Sequence, residues 1–256
     1  MDMKAYVYSM VRCGIQRTIQ GVYPPRCLLC GGTGKKKEGE AVDICDPCQC
    51  RLPENLSACI RCALPLPVEL SGHSMVCGRC QKKPPDFDYS VSLFRYEQPV
   101  VWLVKQLKFN ERLSHARLFG ELLAERVTHR LEPENASSHS VPDCILPVPL
   151  HNKRFRRRGF NQSIELARSV SKKSGVPLEL NLVERVRETE SQTGLDADKR
   201  RKNLRGAFKL VDTTKYKYVV IVDDVVTTGS TVNELAIVLK KSGVERVDVW
   251  SIARAL

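Results

Sequence analysis

The chain changes rhythm near residue 85. Beyond that point apolar side chains recur in two alternating periods. Residues 91–96 (Val-Ser-Leu-Phe-Arg-Tyr) alternate as a strand does, whereas residues 100–107 and 117–130 repeat every three to four positions, as helices do. Residues 144–148 then predict a buried strand, 162–173 a helix, 218–222 another strand, 231–241 a helix stopped by Gly243, and 246–253 a last strand. Strands taking turns with helices specify an α/β domain with a mainly parallel sheet flanked by helices. Residues 31–85 carry few large apolar side chains and no such period. The paired prolines of Lys82-Lys-Pro-Pro-Asp86 stop regular structure. Three segments follow: a helical stretch at 1–23, a small domain at 24–84 and the α/β domain at 88–256.

The longest unbroken apolar stretches, such as residues 218–222, are about five residues long, against the roughly 20 that a membrane-spanning helix needs. No transmembrane segment is expected. The opening residues hold Asp2 and polar interruptions where a secretion signal needs continuous apolar side chains. A cytoplasmic protein is therefore expected, and at 256 residues with 42% hydrophobic side chains it can fold two domains.

The chain holds eleven cysteines, nine of them in the small domain. Reducing compartments keep thiols free, so metal ligation is the usual role for so many. Four Cys-x-x-Cys pairs occur, Cys27/Cys30, Cys45/Cys48, Cys59/Cys62 and Cys77/Cys80, separated by 14, 10 and 14 residues. Adding 32 to the first four positions gives the second four, which marks an internal repeat. Four thiolates saturate a tetrahedral Zn²⁺ and leave no position for water, so two structural zinc ions are expected. A redox dithiol is the alternative, but redox proteins rarely carry four pairs in tandem. Sequential ribbons follow the repeat; a cross-braced pairing would share knuckles between halves. With so little apolar material, the metal must supply much of this domain's folding free energy. Cys13, Cys50 and Cys144 fall outside the pattern and are expected to behave as small buried hydrophobes. His73 is expected to be solvated.

Residues 219–231 read Val-Val-Ile-Val-Asp-Asp-Val-Val-Thr-Thr-Gly-Ser-Thr, a buried strand running into two carboxylates and a small-residue loop that opens a helix. Such a loop suits phosphate. Gly229 lets backbone approach an anion, the amides of residues 228–231 point at it, and the helix N-terminus adds favourable partial charge. The hydroxyls of Thr227, Thr228, Ser230 and Thr231 add donors. Asp223 and Asp224 sit at the carboxyl end of the strand, where open α/β sheets place ligands. Carboxylates there suit the vicinal diol of a ribose or a hydrated Mg²⁺.

This segment resembles the thirteen-residue phosphoribosyl-pyrophosphate (PRPP) motif of type I phosphoribosyltransferases. The resemblance implies that fold, with Asp223 and Asp224 as the catalytic acids contacting the ribose hydroxyls and residues 227–231 holding the 5′-phosphate. A wider resemblance covers the cysteine-rich start, Pro147-Val-Pro-Leu150, Arg156-Arg-Arg-Gly-Phe-Asn-Gln162, Gln192-Thr-Gly-Leu195, Arg200, Arg201, Asn203 and Gly206-Ala-Phe208. The chain is similar to the ComF family of competence-associated proteins, whose members carry a zinc-binding region before a phosphoribosyltransferase domain. That similarity implies a part in handling incoming single-stranded DNA during natural transformation, alongside competence proteins such as a DNA helicase.

The net charge of +12 is concentrated. Residues 151–206 hold 15 Lys+Arg against 7 Asp+Glu. Two runs dominate, Lys153, Arg154, Arg156, Arg157 and Arg158, then Lys199, Arg200, Arg201 and Lys202. In the resembled fold the first run follows the strand that binds pyrophosphate, and guanidinium groups suit bidentate phosphate contacts. Arg156, Arg157 and Arg158 are assigned to PRPP, and Lys153, Arg154 and residues 199–202 to nucleic acid. A solvated face is the bland alternative. Deprotonating eight cysteines around two Zn²⁺ takes the charge from +12 to about +8. Nucleic acid should accordingly meet the α/β domain first. Lys105 and Lys108 could extend the same basic surface. The leading expectation is a pentosyl transferase using PRPP and Mg²⁺, of unassigned acceptor; no Cys-His nucleophile or amidotransferase segment supplies ammonia. The rival is a non-catalytic DNA-binding module with PRPP as a regulatory ligand.

Overall fold

The computed structural model describes residues 25–37, 40–67, 75–109, 113–131, 141–188, 204–212 and 215–256. The chain divides into two compact units, Met1–Leu52 and Pro53–Leu256.

In the first unit a knuckle is closed by the Gly31 amide donating to the Cys27 carbonyl at 2.9 Å and the Cys27 amide to the Gly32 carbonyl at 2.8 Å. Strands β1 (Lys35–Lys37) and β2 (Glu40–Val42) pair antiparallel. Helix α1 (Asp46–Gln49) then starts at Cys45.

The second unit opens by repeating this knuckle 32 positions on. The Ala63 amide donates to the Cys59 carbonyl at 2.8 Å, the Cys59 amide to the Leu64 carbonyl at 2.9 Å, and α2 (Gly78–Lys82) starts at Cys77. The left-handed turn recurs too, with φ 75° at Gly31 and 54° at Ala63. Alanine accepts that conformation only at a steric penalty that glycine avoids.

The rest of this unit is the predicted α/β fold. Its elements are β3 (Tyr89–Arg95), α3 (Val100–Phe109), α4 (Leu113–Leu131), β4 (Cys144–Pro147), α5 (Asn152–Arg158), α6 (Gln162–Ser174), β5 (Val183–Arg185), β6 (Phe208–Leu210), β7 (Tyr218–Val226), α7 (Ser230–Lys241) and β8 (Arg246–Arg254). Four strands form a parallel sheet in the order β3-β8-β7-β4. Strand alternation splits the core into two layers. Val219, Ile221, Val247 and Val249 pack with Val232, Leu235, Ala236 and Leu239 of α7. The other face lies under α4, against β8 and β3, and α6, against β7 and β4. Covered on both sides, residues 219–222 are 0% exposed, which is why they read as an uninterrupted apolar run.

Strand β3 is an edge strand, and the segment before the second knuckle covers it. The Asn55 amide donates to the Leu93 carbonyl at 2.9 Å and the Arg95 amide to the Pro53 carbonyl at 2.8 Å, around a Glu54–Phe94 antiparallel bridge.

Three elements of the α/β domain were not expected from periodicity. The first basic run folds as α5, and β5 and β6 pair antiparallel. Cys144 is buried as expected. Cys50 is not: it follows the last residue of the one-turn helix α1 and is exposed. Cys13 and His73 lie outside the described residues. Among the described residues, no helix is long and apolar enough to cross a membrane.

Candidate ligand site and metal centres

The eight predicted ligands gather into two clusters, Cys27, Cys30, Cys45 and Cys48, then Cys59, Cys62, Cys77 and Cys80, with all four sulfurs of each within 4.8 Å of one another. This is the sequential pairing. A tetrahedral Zn²⁺ with bonds of about 2.3 Å needs sulfurs about 3.8 Å apart. The Sγ–Sγ distances Cys30–Cys45 and Cys62–Cys77 are both 3.7 Å. The donor set and spacing therefore fit structural zinc. In the second cluster Cys59, Cys77 and Cys80 are themselves the buried core, with Cys62, Leu64, Leu66 and Val76 packed on them. Holding four thiolates this close without a cation is unfavourable, so metal and fold are linked there.

The candidate ligand site stands at the carboxyl ends of β4 and β7. After β4, the Val148 amide donates to the Val222 carbonyl at 2.9 Å, and Asn161 Nδ2 donates to the Val148 carbonyl at 3.0 Å. Asn161 also caps α6, its Oδ1 accepting from the Ser163 amide at 3.0 Å. This fixes Ser163, whose hydroxyl donates to Asp223 Oδ1 at 3.3 Å. The Asp224 amide donates to the same oxygen at 2.9 Å. Burial first, and the neighbouring Asp224 second, push the Asp223 carboxyl up to about 7; Lys108 and these hydrogen bonds oppose the rise.

Lys108 is the surprise. Rather than extending a basic surface, its Nζ reaches Asp224 Oδ1 at 2.9 Å, with the two side chains 24% and 13% exposed. Burial disfavours its charge, yet Asp224, Asp223 and Tyr96 together outweigh burial and raise its pKa. Lys105 stays exposed. Beyond the acids, β7 turns through residues 227–229 into α7. Gly229 takes φ 77° as the residue before the helix, a left-handed conformation natural to glycine. The Thr228 and Ser230 hydroxyls lie 2.8 Å apart, and the first-turn amides of α7 have no carbonyl one turn back. The loop offers what a phosphate requires.

All seven residues of α5 lack full burial. His151 Nδ1 accepts from the Lys153 amide at 3.3 Å, and Gly159 ends the helix. Arg156 and Arg157 are exposed and Arg158 is half-buried. Lys153 is partly neutralised by Glu188 at 3.2 Å. Arg154 is half-buried, and burial, then Arg158 and Arg157, lower its pKa. Arg185 of β5, not singled out by sequence, stacks its guanidinium 5.4 Å from the Phe208 ring centroid. Burial and Arg154 push it down to about 10, while Asp223 pulls the other way. The β5–β6 pair therefore brings a further cation toward the acids. Lys199, Arg200, Arg201 and Lys202 lie outside the described residues.

On its other side the loop borders a cavity of about 760 Å³ whose lining includes Thr228, Gly229, Ser230, Cys62, Arg79 and Arg254. Reading tertiary neighbours such as Lys108, Arg185 and Arg254 from sequence would need a signal that neither periodicity nor spacing carries.

A parallel sheet whose strand β7 ends in two acids and a small-residue loop opening a helix, in a chain with two four-cysteine clusters, defines a phosphoribosyltransferase-type fold joined to a double zinc ribbon. Family comparison agrees: residues 18–81 match the double zinc ribbon domain and residues 160–255 the phosphoribosyl transferase domain. The chain is 40% identical over 214 residues to the DNA utilization protein YhgH of Salmonella typhi, covering 83% of this chain and 91% of that one. It is 36% identical over 239 residues to Competence protein F of Haemophilus influenzae, covering 90% and 97%. The chain belongs to the ComF family that these proteins represent. Among solved structures it is similar to glutamine PRPP amidotransferase from B. subtilis, at 21% identity and a TM-score of 0.34, over 53% of this chain and 25% of that one.

Proposed function

We propose that this protein binds PRPP with Mg²⁺ and acts as a cytoplasmic phosphoribosyltransferase-type protein that handles incoming single-stranded DNA in natural transformation, together with other competence proteins such as a DNA helicase. The observation that carries the ligand is the β7–α7 turn, where Asp223 and Asp224 stand directly before the loop of residues 227–231. The names of the relatives, competence and DNA utilization, support the process.

In this reading the chain's own groups divide the ligand. Loop amides and the hydroxyls of Thr227, Thr228, Ser230 and Thr231 hold the 5′-phosphate. Asp223 and Asp224 take the ribose hydroxyls and the hydration shell of Mg²⁺, which when bound neutralises pyrophosphate oxygens. Lys108 keeps the acid pair from carrying two uncompensated charges. Arg156, Arg157 and Arg158 receive the pyrophosphate. Transfer would break the C1–O bond, the electron pair leaving with pyrophosphate, as an acceptor lone pair bonds to C1 and the acceptor's proton passes to solvent.

The exposed cations of α5 favour a second reading, in which the protein binds nucleic acid phosphates and PRPP only regulates that binding. One experiment separates the two: pyrophosphate release from PRPP and Mg²⁺, with and without single-stranded DNA and candidate bases or amines. Release above background supports turnover. PRPP binding without release leaves the regulatory reading, and absence of binding removes both.

A further inference from the structure

We propose that Arg254 is a positioning residue through which the second zinc cluster sets the orientation of the phosphate loop; this rests on the PRPP reading above. Arg254 is the last residue of β8, paired with Val226 across the sheet and 4% exposed. Its Nε donates to the Cys62 carbonyl at 2.9 Å. Its Nη1 donates to the Val226 carbonyl at 3.2 Å and also to the carbonyls of Thr227 and Ala255. One buried guanidinium thus joins a zinc knuckle to the first residue of the loop. A second arginine works beside it. Arg79, carried on α2 between Cys77 and Cys80, donates from Nη2 to the Thr228 carbonyl at 3.5 Å.

Peptide planarity turns these contacts into an effect on ligand. The Thr227 carbonyl shares one rigid plane with the Thr228 amide, and the Thr228 carbonyl shares one with the Gly229 amide; in each the oxygen and hydrogen point opposite ways. Pinning two successive carbonyls on the ribbon side therefore aims two successive amides at the phosphate side. The guanidinium is suited to this because its donors form a planar fork, so it cannot follow one acceptor without leaving another. Charge supports the same arrangement. Four thiolates around one divalent ion carry a net charge of about −2, and that charge stabilises a buried arginine hydrogen-bonded to the backbone of one of them. Loss of the metal would release the Cys62 carbonyl, and with it the loop's anchor.

Coupling of this kind is reciprocal. In full-length protein, zinc release to a chromogenic chelator should resolve into two phases, and PRPP with Mg²⁺ should slow only one of them, by roughly fivefold or more. That phase should persist in a Cys27→Ser, Cys30→Ser variant, which lacks the first cluster. Arg254→Met should remove the protection and weaken PRPP roughly tenfold as read by thermal shift, with Arg254→Lys intermediate because it keeps charge but not the fork. Arg79→Ala should lose part of the protection. A residue that served only folding would lower the melting temperature and leave the protection intact. Wild-type protein that binds PRPP yet releases both metals at unchanged rates overturns the coupling, with no variant needed. Wild-type protein showing no thermal shift with PRPP overturns the PRPP reading itself.

Discussion

The two zinc knuckles share a backbone but not a setting. Residue by residue at an offset of 32, both make the same turn, the same two closing hydrogen bonds and the same helix start at the third cysteine. The first belongs to the compact unit Met1–Leu52 and the second to the unit that contains the sheet. There the Ser90 amide of β3 donates to the Ile60 carbonyl at 3.0 Å, Arg61 Nη1 donates to the Asp88 carbonyl at 3.0 Å, and Arg254 holds Cys62. A repeat thus fixes what a metal site looks like, while its neighbours fix what the metal is for.

The largest test of that contrast removes one cluster at a time. Cys59→Ser with Cys62→Ser should lower the main melting transition by more than about 10 °C and abolish the PRPP response, because structural zinc contributes folding free energy directly. Cys27→Ser with Cys30→Ser should leave that transition and response in place while elemental analysis falls from two zinc ions to one. Equal effects of the two pairs would break the comparison.

Next in size is the acid pair. Asp223→Ala with Asp224→Ala should abolish the rise in melting temperature given by PRPP and Mg²⁺, which reflects ligand binding to the folded state. Lys108→Met should destabilise the protein by about 2 kcal/mol, as removal of one partner leaves a largely buried carboxylate uncompensated. Calorimetric or denaturant unfolding reads this directly.

A smaller effect follows from pH. The folded-state pKa of Asp223 lies near 7, above its ordinary 3.8, so the folded protein holds this proton more tightly than the unfolded chain does. Its contribution to stability is full below pH 3.8 and is lost as pH rises through 7. Ligand binding that uses the carboxylate runs the other way: affinity for PRPP should strengthen from pH 6 to 8, and titration calorimetry across that range should show it. A flat profile would place the ionised acid elsewhere.

The smallest expected change concerns DNA. Replacing Arg156, Arg157 and Arg158 by Ala should weaken binding of single-stranded DNA and flatten the slope of log affinity against log salt by roughly two units. Base sequence should matter little. If instead the cluster variants alter the slope and the α5 variant does not, the ribbons are the nucleic-acid surface.

Local patterns carried much of this from the sequence. Cysteine spacing located both clusters, and the run from Val219 to Thr231 located acids and loop, because each is built from neighbours in the chain. Each strand and helix predicted beyond residue 85 is present, ending within a few residues of its expected bounds, whereas the helical stretch expected at 1–23 lies outside the described residues. What was hidden is tertiary. Lys108 reaches Asp224 from a helix over 100 residues earlier, and Arg254 reaches Cys62 across 192 positions. Neither pairing leaves a periodic trace. The strands β5 and β6 are three residues each, too short for alternation to register. Helix α5 is polar apart from the exposed Phe155, so it shows as charge instead of an amphipathic stripe.

The strip of chain at residues 53–55 has a further consequence. It lies along β3, whose outer side would otherwise present free amides and carbonyls, a template on which another chain's strand can add. The strip is held in register by the knuckle that follows it, with Asn55 Nδ2 donating to the Ala63 carbonyl at 2.9 Å. Metal at the second cluster therefore also guards that edge: without it the strip would lose its anchor, and β3 would offer its outer side for strand addition.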